Sequence, residues 1–291
     1  MRYLVILLLI LFIIALWIII FDSNRFVIRT YTFSDARIKK KQKAIMISDL
    51  HNKKYGKDNE VLLDAIRKQK PDYILVGGDL MIAEKKGKLD TAITFVTQLH
   101  KEFPVYYANG NHEHRLEHSR STYGDMADRY EKALSEIGLS RIVNDRVNLQ
   151  EYGISIVGSQ IDRIFYKKFR VQVMHPKYLE NLLGKPEKDL YTILLAHNPD
   201  YFPIYSKWGA DLVLSGHVHG GIARVPFWGK GILSPRLVFF PKYDGGLFKD
   251  GKSSMVVSRG LGMHTLHMRF WNPGELVVLE LNPMEQTLEQ R

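Results

Sequence analysis

The chain has 291 residues, is 45% hydrophobic, carries a formal net charge of +10 and contains no cysteine. That length permits one domain or two around a large core, and the cysteine count excludes disulfides and thiolate metal sites while leaving the redox compartment undecided. The positive balance suits an anionic partner such as a lipid headgroup, a phosphorylated substrate or nucleic acid; the lack of an RNA-binding aromatic signature and of a basic groove-reading helix makes nucleic acid the minor reading.

Tyr3 to Phe21 holds no charged residue. As a helix it reaches about 28 Å, close to the hydrocarbon thickness of a bilayer. The run is too long for a signal-peptide core, and no small-x-small cleavage pattern follows in Phe21-Asp22-Ser23-Asn24-Arg25. We read residues 1–21 as a retained single-pass membrane anchor. Arg25, Arg29, Arg37 and Lys39 to Lys41 follow the span, which favours a cytoplasmic body, yet large domains often translocate regardless of flanking charge. The body is expected on the extracytoplasmic side.

Phe26 to Phe33 alternates loosely as an edge strand, and Asp35 to Lys43 reads as a basic connector, so 22–43 is taken as juxtamembrane. From Ala44 short apolar runs alternate with amphipathic helices: strands at Ala44–Ile47, Tyr73–Val76 and Pro104–Ala108, helices at Asn59–Lys68 and Leu89–Leu99. This argues for βαβ units. A helix near Tyr123–Ile137 follows, then strands at Arg146–Gln150, Ile154–Val157, Tyr191–Leu195, Leu212–Leu214, Met255–Val257 and Leu276–Leu281. The expected fold is α/β, a four-layer αββα sandwich of two mixed β-sheets flanked by helices over 44–281, with hairpins in the second sheet. A polar tail occupies 282–291.

Chemistry gathers where strands end. Asp49-Leu50-His51 follows the first run, Gly78-Asp79 the second, Asn109-Gly110-Asn111-His112-Glu113 the third, His197 the fourth and Gly216-His217-Val218-His219 the fifth. Carboxyl ends of parallel strands converge on one crevice, and side chains two apart on an extended segment point the same way. Asp49, His51, Asp79, Asn111, His197, His217 and His219 are too many ligands for one small cation and suit two, with a carboxylate shared between them. Oxygen and imidazole donors without sulfur favour manganese, with iron or zinc as alternatives.

The same pieces resemble the calcineurin-like metallophosphoesterase superfamily, whose pattern is Asp-x-His, Gly-Asp, Gly-Asn-His-Asp/Glu, a separate His, and Gly-His-x-His. Within it, "ISDLH", "GNHE", "LAHNPD", "SGHVHGG" and "SRGLG" look like the single-domain bacterial phosphohydrolases that often carry an amino-terminal membrane segment. The resemblance implies that Asp49, His51 and His219 hold one metal, that Asn111, His197 and His217 hold the other, and that Asp79 bridges them. His112 would face the leaving group. Relatives often read Thr where Val218 stands and Gln where Ile222 stands, which removes a hydrogen bond near substrate but no ligand. No arginine directly follows Asp79, unlike in the protein serine/threonine phosphatases, which speaks against protein dephosphorylation.

The implied activity is dinuclear-metal hydrolysis of phosphodiester or pyrophosphate-linked substrates, lipid or cell-envelope in origin, by a metal-bridging hydroxide. His112, as imidazolium, would protonate the departing alkoxide. Two other readings stand beside it: a nuclease or nucleotide phosphodiesterase, and a catalytically silent metal-binding module at the membrane. Glu113 either orients His112 or is a solvated loop carboxylate. Asp162 either supports the ligands or is a turn residue. Arg259 and Arg269 either meet substrate phosphate or are solvated surface groups. The aromatic and proline-rich stretch 222–248 is a long hairpin over a sheet end, or else a lip toward lipid; "RIFYKKFR" at 163–170 is an exposed amphipathic segment or a membrane contact.

Overall fold

Side chains on a buried strand face alternate sides, so a strand covered on both faces must be apolar throughout. The central strands here obey that rule. In the computed structural model, which describes residues 1–85, 87–264 and 268–284, the elements run α1 (Arg2–Ser23), β1 (Phe26–Asp35), β2 (Gln42–Ile47), α2 (Glu60–Gln69), β3 (Tyr73–Val76), α3 (Asp90–Glu102), β4 (Val105–Ala108), α4 (Asn111–His118), α5 (Arg120–Tyr123) and α6 (Met126–Glu136). There follow β5 (Arg141–Ile142), β6 (Asp145–Leu149), β7 (Ile154–Ser159), α7 (Tyr178–Leu183), β8 (Tyr191–Ala196), α8 (Phe202–Trp208), β9 (Leu212–Ser215), β10 (Gly246–Asp250), β11 (Ser253–Val257) and β12 (Gly274–Pro283).

Two six-stranded mixed sheets result, ordered β1-β12-β2-β3-β4-β5 and β10-β11-β9-β8-β7-β6. Three apolar layers separate four structural ones. Ala44, Met46, Tyr73 and Leu75 of the first sheet meet Ile193, Leu195, Leu212 and Leu214 of the second between the sheets. The alternate residues Ile45, Ile47, Ile74 and Val76 turn outward onto α2, α3 and α6, through Leu62, Ile66, Phe95, Leu99, Tyr130 and Leu134. On the far side Leu194, Val213, Met255 and Val257 pack under α7 and α8 through Leu179, Phe202 and Tyr205. The expected αββα sandwich is therefore present. The hairpins expected in the second sheet are β6–β7 and β10–β11, both antiparallel, while β7, β8, β9 and β11 run parallel.

Differences from the sequence reading have local causes. The helix expected over 123–137 breaks at Gly124, whose φ is +61°. The edge strand expected at 26–33 is present and slightly longer: β1 pairs in parallel with β12 from Phe26 to Asp35, at the edge of the first sheet. The stretch 222–248 is not a long hairpin, because only isolated bridges (Arg224 with Gly231, Leu233 with Phe239) precede β10. Of the tail expected at 282–291, residues beyond Met284 lie outside the described residues.

The apolar helix α1 has none of its most hydrophobic window buried against the body. Its last turn, in contrast, is tied down. Asp22 is buried, accepts the backbone N–H of Asn272 at 3.1 Å and pairs with Arg25 at 2.8 Å; the Ser23 hydroxyl accepts the N–H of Arg269 at 2.9 Å.

Candidate metal centre

The turns after β2, β3, β4, β8 and β9 bring all seven expected residues to one end of the two sheets. Each is buried. The backbone does this by a route the sequence reading did not foresee. Asp49, His51, Asp79, His217 and His219 are not extended: their φ values are +52°, +48°, +57°, +69° and +53°. Non-glycine residues rarely occupy this left-handed region, and such strain gathers at functional sites. Sharp turns, rather than a two-residue strand repeat, aim the side chains inward.

Two groups of three form: ligand-type atoms of Asp49, His51 and His219 lie within 4.8 Å of one another, as do those of Asp79, His197 and His217. The groups touch through carboxylates. Asp79 Oδ2 is 3.0 Å from His197 Nε2 and 3.8 Å from His51 Nε2. Asp49 Oδ1 is 3.5 Å from His219 Nε2, 3.7 Å from His51 Nε2 and 3.7 Å from His197 Nε2.

Hydrogen bonds outside the cluster fix which ring nitrogens face it. Nδ1 of His197 donates to the Gly77 carbonyl at 2.7 Å and Nδ1 of His219 to the Gly262 carbonyl at 3.3 Å. Each Nε2 is then a bare lone pair in the neutral ring, the arrangement that orients metal-ligating imidazoles. His197 Nε2 consequently meets the Asp79 carboxylate acceptor to acceptor, and His51 Nε2 meets His219 Nε2 at 3.3 Å. The first contact needs a cation between its two acceptors; the second is closed either by a cation or by a proton on His51 Nε2. Without a metal a proton serves: burial disfavours charge on His197, but Asp79 and Asp49 push its pKa up to about 10. Burial would raise the Asp49 carboxyl, yet His219 and His197 hold it far below the usual range. In addition Asn111 Oδ1 and His217 Nε2 are buried without a hydrogen-bond partner. Acceptors facing acceptors, together with unpartnered buried ligand atoms, fit divalent cations.

Close packing leaves no slack around the carboxylates. A Cβ on Gly110 would lie 2.2 Å from Asp79 Oδ1, and one on Gly216 would lie 2.1 Å from Asp49 Oδ2. Glu113 corrects both readings offered for it. It is buried rather than solvated, and its hydrogen bonds go not to the His112 ring but to the N–H groups of Asp79 (2.9 Å), Leu80 (3.0 Å) and Gly110 (2.9 Å) and the Tyr107 hydroxyl (2.7 Å). At the third position of α4 it caps that helix and clamps the Gly-Asp turn to the Gly-Asn-His turn.

His112 is also set by the backbone. Its Nδ1 accepts the Ala83 N–H at 2.8 Å, leaving Nε2 as the protonated nitrogen of a neutral ring, buried and without a partner. The imidazolium expected from the sequence would sacrifice that bond. Burial and the adjacent His51 also hold the ring's pKa well below its ordinary value, against the pull of Asp79.

One residue escaped the sequence reading. His264 lies with its ring 4.8 Å from that of His51, 4.9 Å from His112 and 5.4 Å from His219, and forms a third group with His51 and His112. It follows no strand end, and its spacing of three to His267 matches neither of the pairs read as ligands, so only the Gly-rich run after β11 hinted at a turn there.

The expected substrate arginines are placed differently. Arg269 is buried and donates to the carbonyls of Asn272, Arg259, Gly260 and Gly262, bracing the turn that carries His264. Arg259 leans on Glu275 at 3.8 Å. Neither is the solvated surface group of the alternative reading. Asp162 is an exposed turn residue, exchanging hydrogen bonds with Tyr178. Tyr166, from the basic aromatic stretch, packs edge-on against His217 with centroids 5.1 Å apart.

A two-sheet sandwich with a buried histidine–carboxylate cluster at the strand ends has the donor set of a metal-dependent hydrolase. The family model described as calcineurin-like phosphoesterase matches residues 43–221, and the chain belongs to that family. It is 28% identical over 243 residues to the uncharacterised metallophosphoesterase YkuE of Bacillus subtilis, covering 82% of this chain and 78% of that one. It is 25% identical over 227 residues to the phosphodiesterase YaeI of Escherichia coli, covering 76% and 75%. An uncharacterised metallophosphoesterase of Campylobacter jejuni, 28% identical, is spanned over 60% of its length. Among solved structures, the purple acid phosphatase PPD1 of yellow lupin aligns over 84% of this chain and 44% of that one, with 13% identity and a TM-score of 0.38.

Proposed function

We propose that this enzyme is a membrane-anchored phosphodiesterase or pyrophosphatase using two divalent ions, manganese preferred. Asp49, His51 and His219 would hold one ion and Asn111, His197 and His217 the other, with Asp79 placed to serve either. The carrying observation is the Asp79 carboxylate, whose Oδ2 stands within 4 Å of a histidine from each group. Divalent ions bound there act as Lewis acids on a phosphoryl oxygen and lower the pKa of water. The chain's own residues do the rest. Glu113 and the Gly77 and Gly262 carbonyls hold the ligands in register. The Nε2–H of His112 offers a hydrogen bond to the oxygen of the departing group, which matters most for alkyl leaving groups.

The choice of substrate rests on the cleft. A cavity of about 690 Å³ runs from His51 to Ser23 and Asn24 at the end of α1, past Lys53, Lys54 and Lys88. A cavity with three lysines and one glutamate in its wall, reaching the base of the proposed anchor, suits a phosphate ester carried on a lipid. The name of the Escherichia coli relative, a phosphodiesterase, supports the diester reading.

Turnover of bis-p-nitrophenyl phosphate with added manganese tests the chemistry, and hydrolysis of phospholipid pyrophosphates against nucleic acid tests the substrate class. Preference for nucleic acid would replace the lipid assignment with a nuclease; no turnover with any metal would remove the mechanism.

A further inference from the structure

We infer that the aromatic loop between β9 and β10 is a second membrane contact, seated at the headgroup–acyl boundary beside the anchor. The inference rests on α1 being a membrane anchor. Phe227 is 100% exposed and Phe239 69%, and Trp228, Phe240 and Trp271 are exposed as well. Single exposed apolar residues are ordinary, but a contiguous group of large ones marks a binding surface. They form two ring pairs joined by the 227–228 backbone: the rings of Phe227 and Trp271 lie 5.7 Å apart and those of Trp228 and Phe240 6.2 Å apart, with Phe239 next in the chain to Phe240.

Their position names the occupant. Trp271 directly precedes Asn272, whose N–H is held by Asp22 in the last turn of α1, and whose side-chain amide donates to the carbonyls of His219 and Ile222. The patch is thus hydrogen-bonded through one residue to the end of the span on one side and to the metal centre's last ligand on the other. A surface this close to the base of a transmembrane helix lies within the interfacial layer, where aromatic side chains concentrate.

The backbone holds these rings in an unusual conformation. Phe227 and Phe240 in the loop, and Trp271 in the turn before β12, all have positive φ (+64°, +47° and +53°), unusual for bulky residues. Beneath them the loop is firm. The buried Arg224 guanidinium donates to the carbonyls of Gly220, Asp244 and Gly229, and Lys230 donates to that of Pro241 at 2.8 Å. Arg236 ties the loop to the carbonyls of Lys167 and Arg170, which sets the basic residues of 167–170 next to it as partners for anionic headgroups. A preformed apolar face with a cationic flank is the chemistry of interfacial lipid binding.

The cysteine-free chain allows a direct test on the full-length protein in liposomes. Nitroxide labels are placed at Phe227→Cys and Phe239→Cys, with Leu9→Cys in the span and Lys132→Cys on the exposed face of α6 as references. Turnover of bis-p-nitrophenyl phosphate checks that each variant is folded. Collision with dissolved oxygen is compared with collision with a water-soluble nickel chelate. Labels at 227 and 239 are expected to favour oxygen several-fold, as at position 9, while position 132 favours nickel. Nickel preference at both loop positions, or shielding from both probes as a protein partner or second copy would give, overturns the proposal. Nickel preference at position 9 would instead show that the anchor reading itself has failed.

Discussion

The carboxylate of Glu113 accepts the backbone N–H of Asp79 at 2.9 Å, joining the turn after β3 to the first turn of α4. Because the same carboxylate also takes the N–H of Gly110 and Leu80, the position of the central Asp79 depends on a side chain outside the ligand set. Glu113→Gln puts an amide donor against these N–H donors. We expect a loss of about 2–4 kcal/mol in stability, the range for breaking a buried charged network, together with lower metal content. Thermal unfolding and elemental analysis check this; a variant matching the parent in both would show that the clamp does not position Asp79.

Metal removal should destabilise the fold. Binding to the native state alone contributes about 2.7 kcal/mol per site at a hundredfold excess over Kd, and each kcal/mol moves Tm by about 2–4 °C in a large domain. Chelation is therefore expected to lower Tm by 5 °C or more, at about this magnitude, with recovery on adding manganese. An unchanged Tm in protein verified to be metal-free by elemental analysis would contradict a centre that bridges five turns.

Much of this was legible before any coordinates. Strands such as Ile74-Leu75-Val76 and Ile193-Leu194-Leu195 are apolar at every position because both faces are covered, and each hands the chain to a polar turn at the same end of the two sheets. Asp49-x-His51 and His217-x-His219 could be read as pairs, although the reason first given for their convergence, an extended backbone, was wrong. The helix beginning at Asn111 was hidden because its first turn, Asn-His-Glu-His, carries no apolar period. The role of Glu113 needs three donors from separate turns, and no local pattern encodes that. The docking of Asp22 onto Asn272 joins residues 250 positions apart and was equally invisible.

His264 offers a test of a residue that carried no signal of its own. Its ring stands within 5 Å of both His51 and His112. His264→Ala is expected to keep the metal content of the parent while lowering kcat on an alkyl phosphodiester by about tenfold, the lower range for groups that orient an active-site partner. p-Nitrophenyl esters, which leave without help, should be less affected. Loss of one metal equivalent would make His264 a ligand instead, and equal rates on both esters would remove it from the reaction.

The central claim is that Asp79 joins two cation sites. A crystal grown with manganese and measured at the metal's anomalous edge tests it most directly. The account predicts two peaks, one bounded by Asp49, His51 and His219 and the other by Asn111, His197 and His217, with Asp79 coordinating both. A single peak, no peak, or two peaks with the Asp79 carboxylate bound to neither would contradict it.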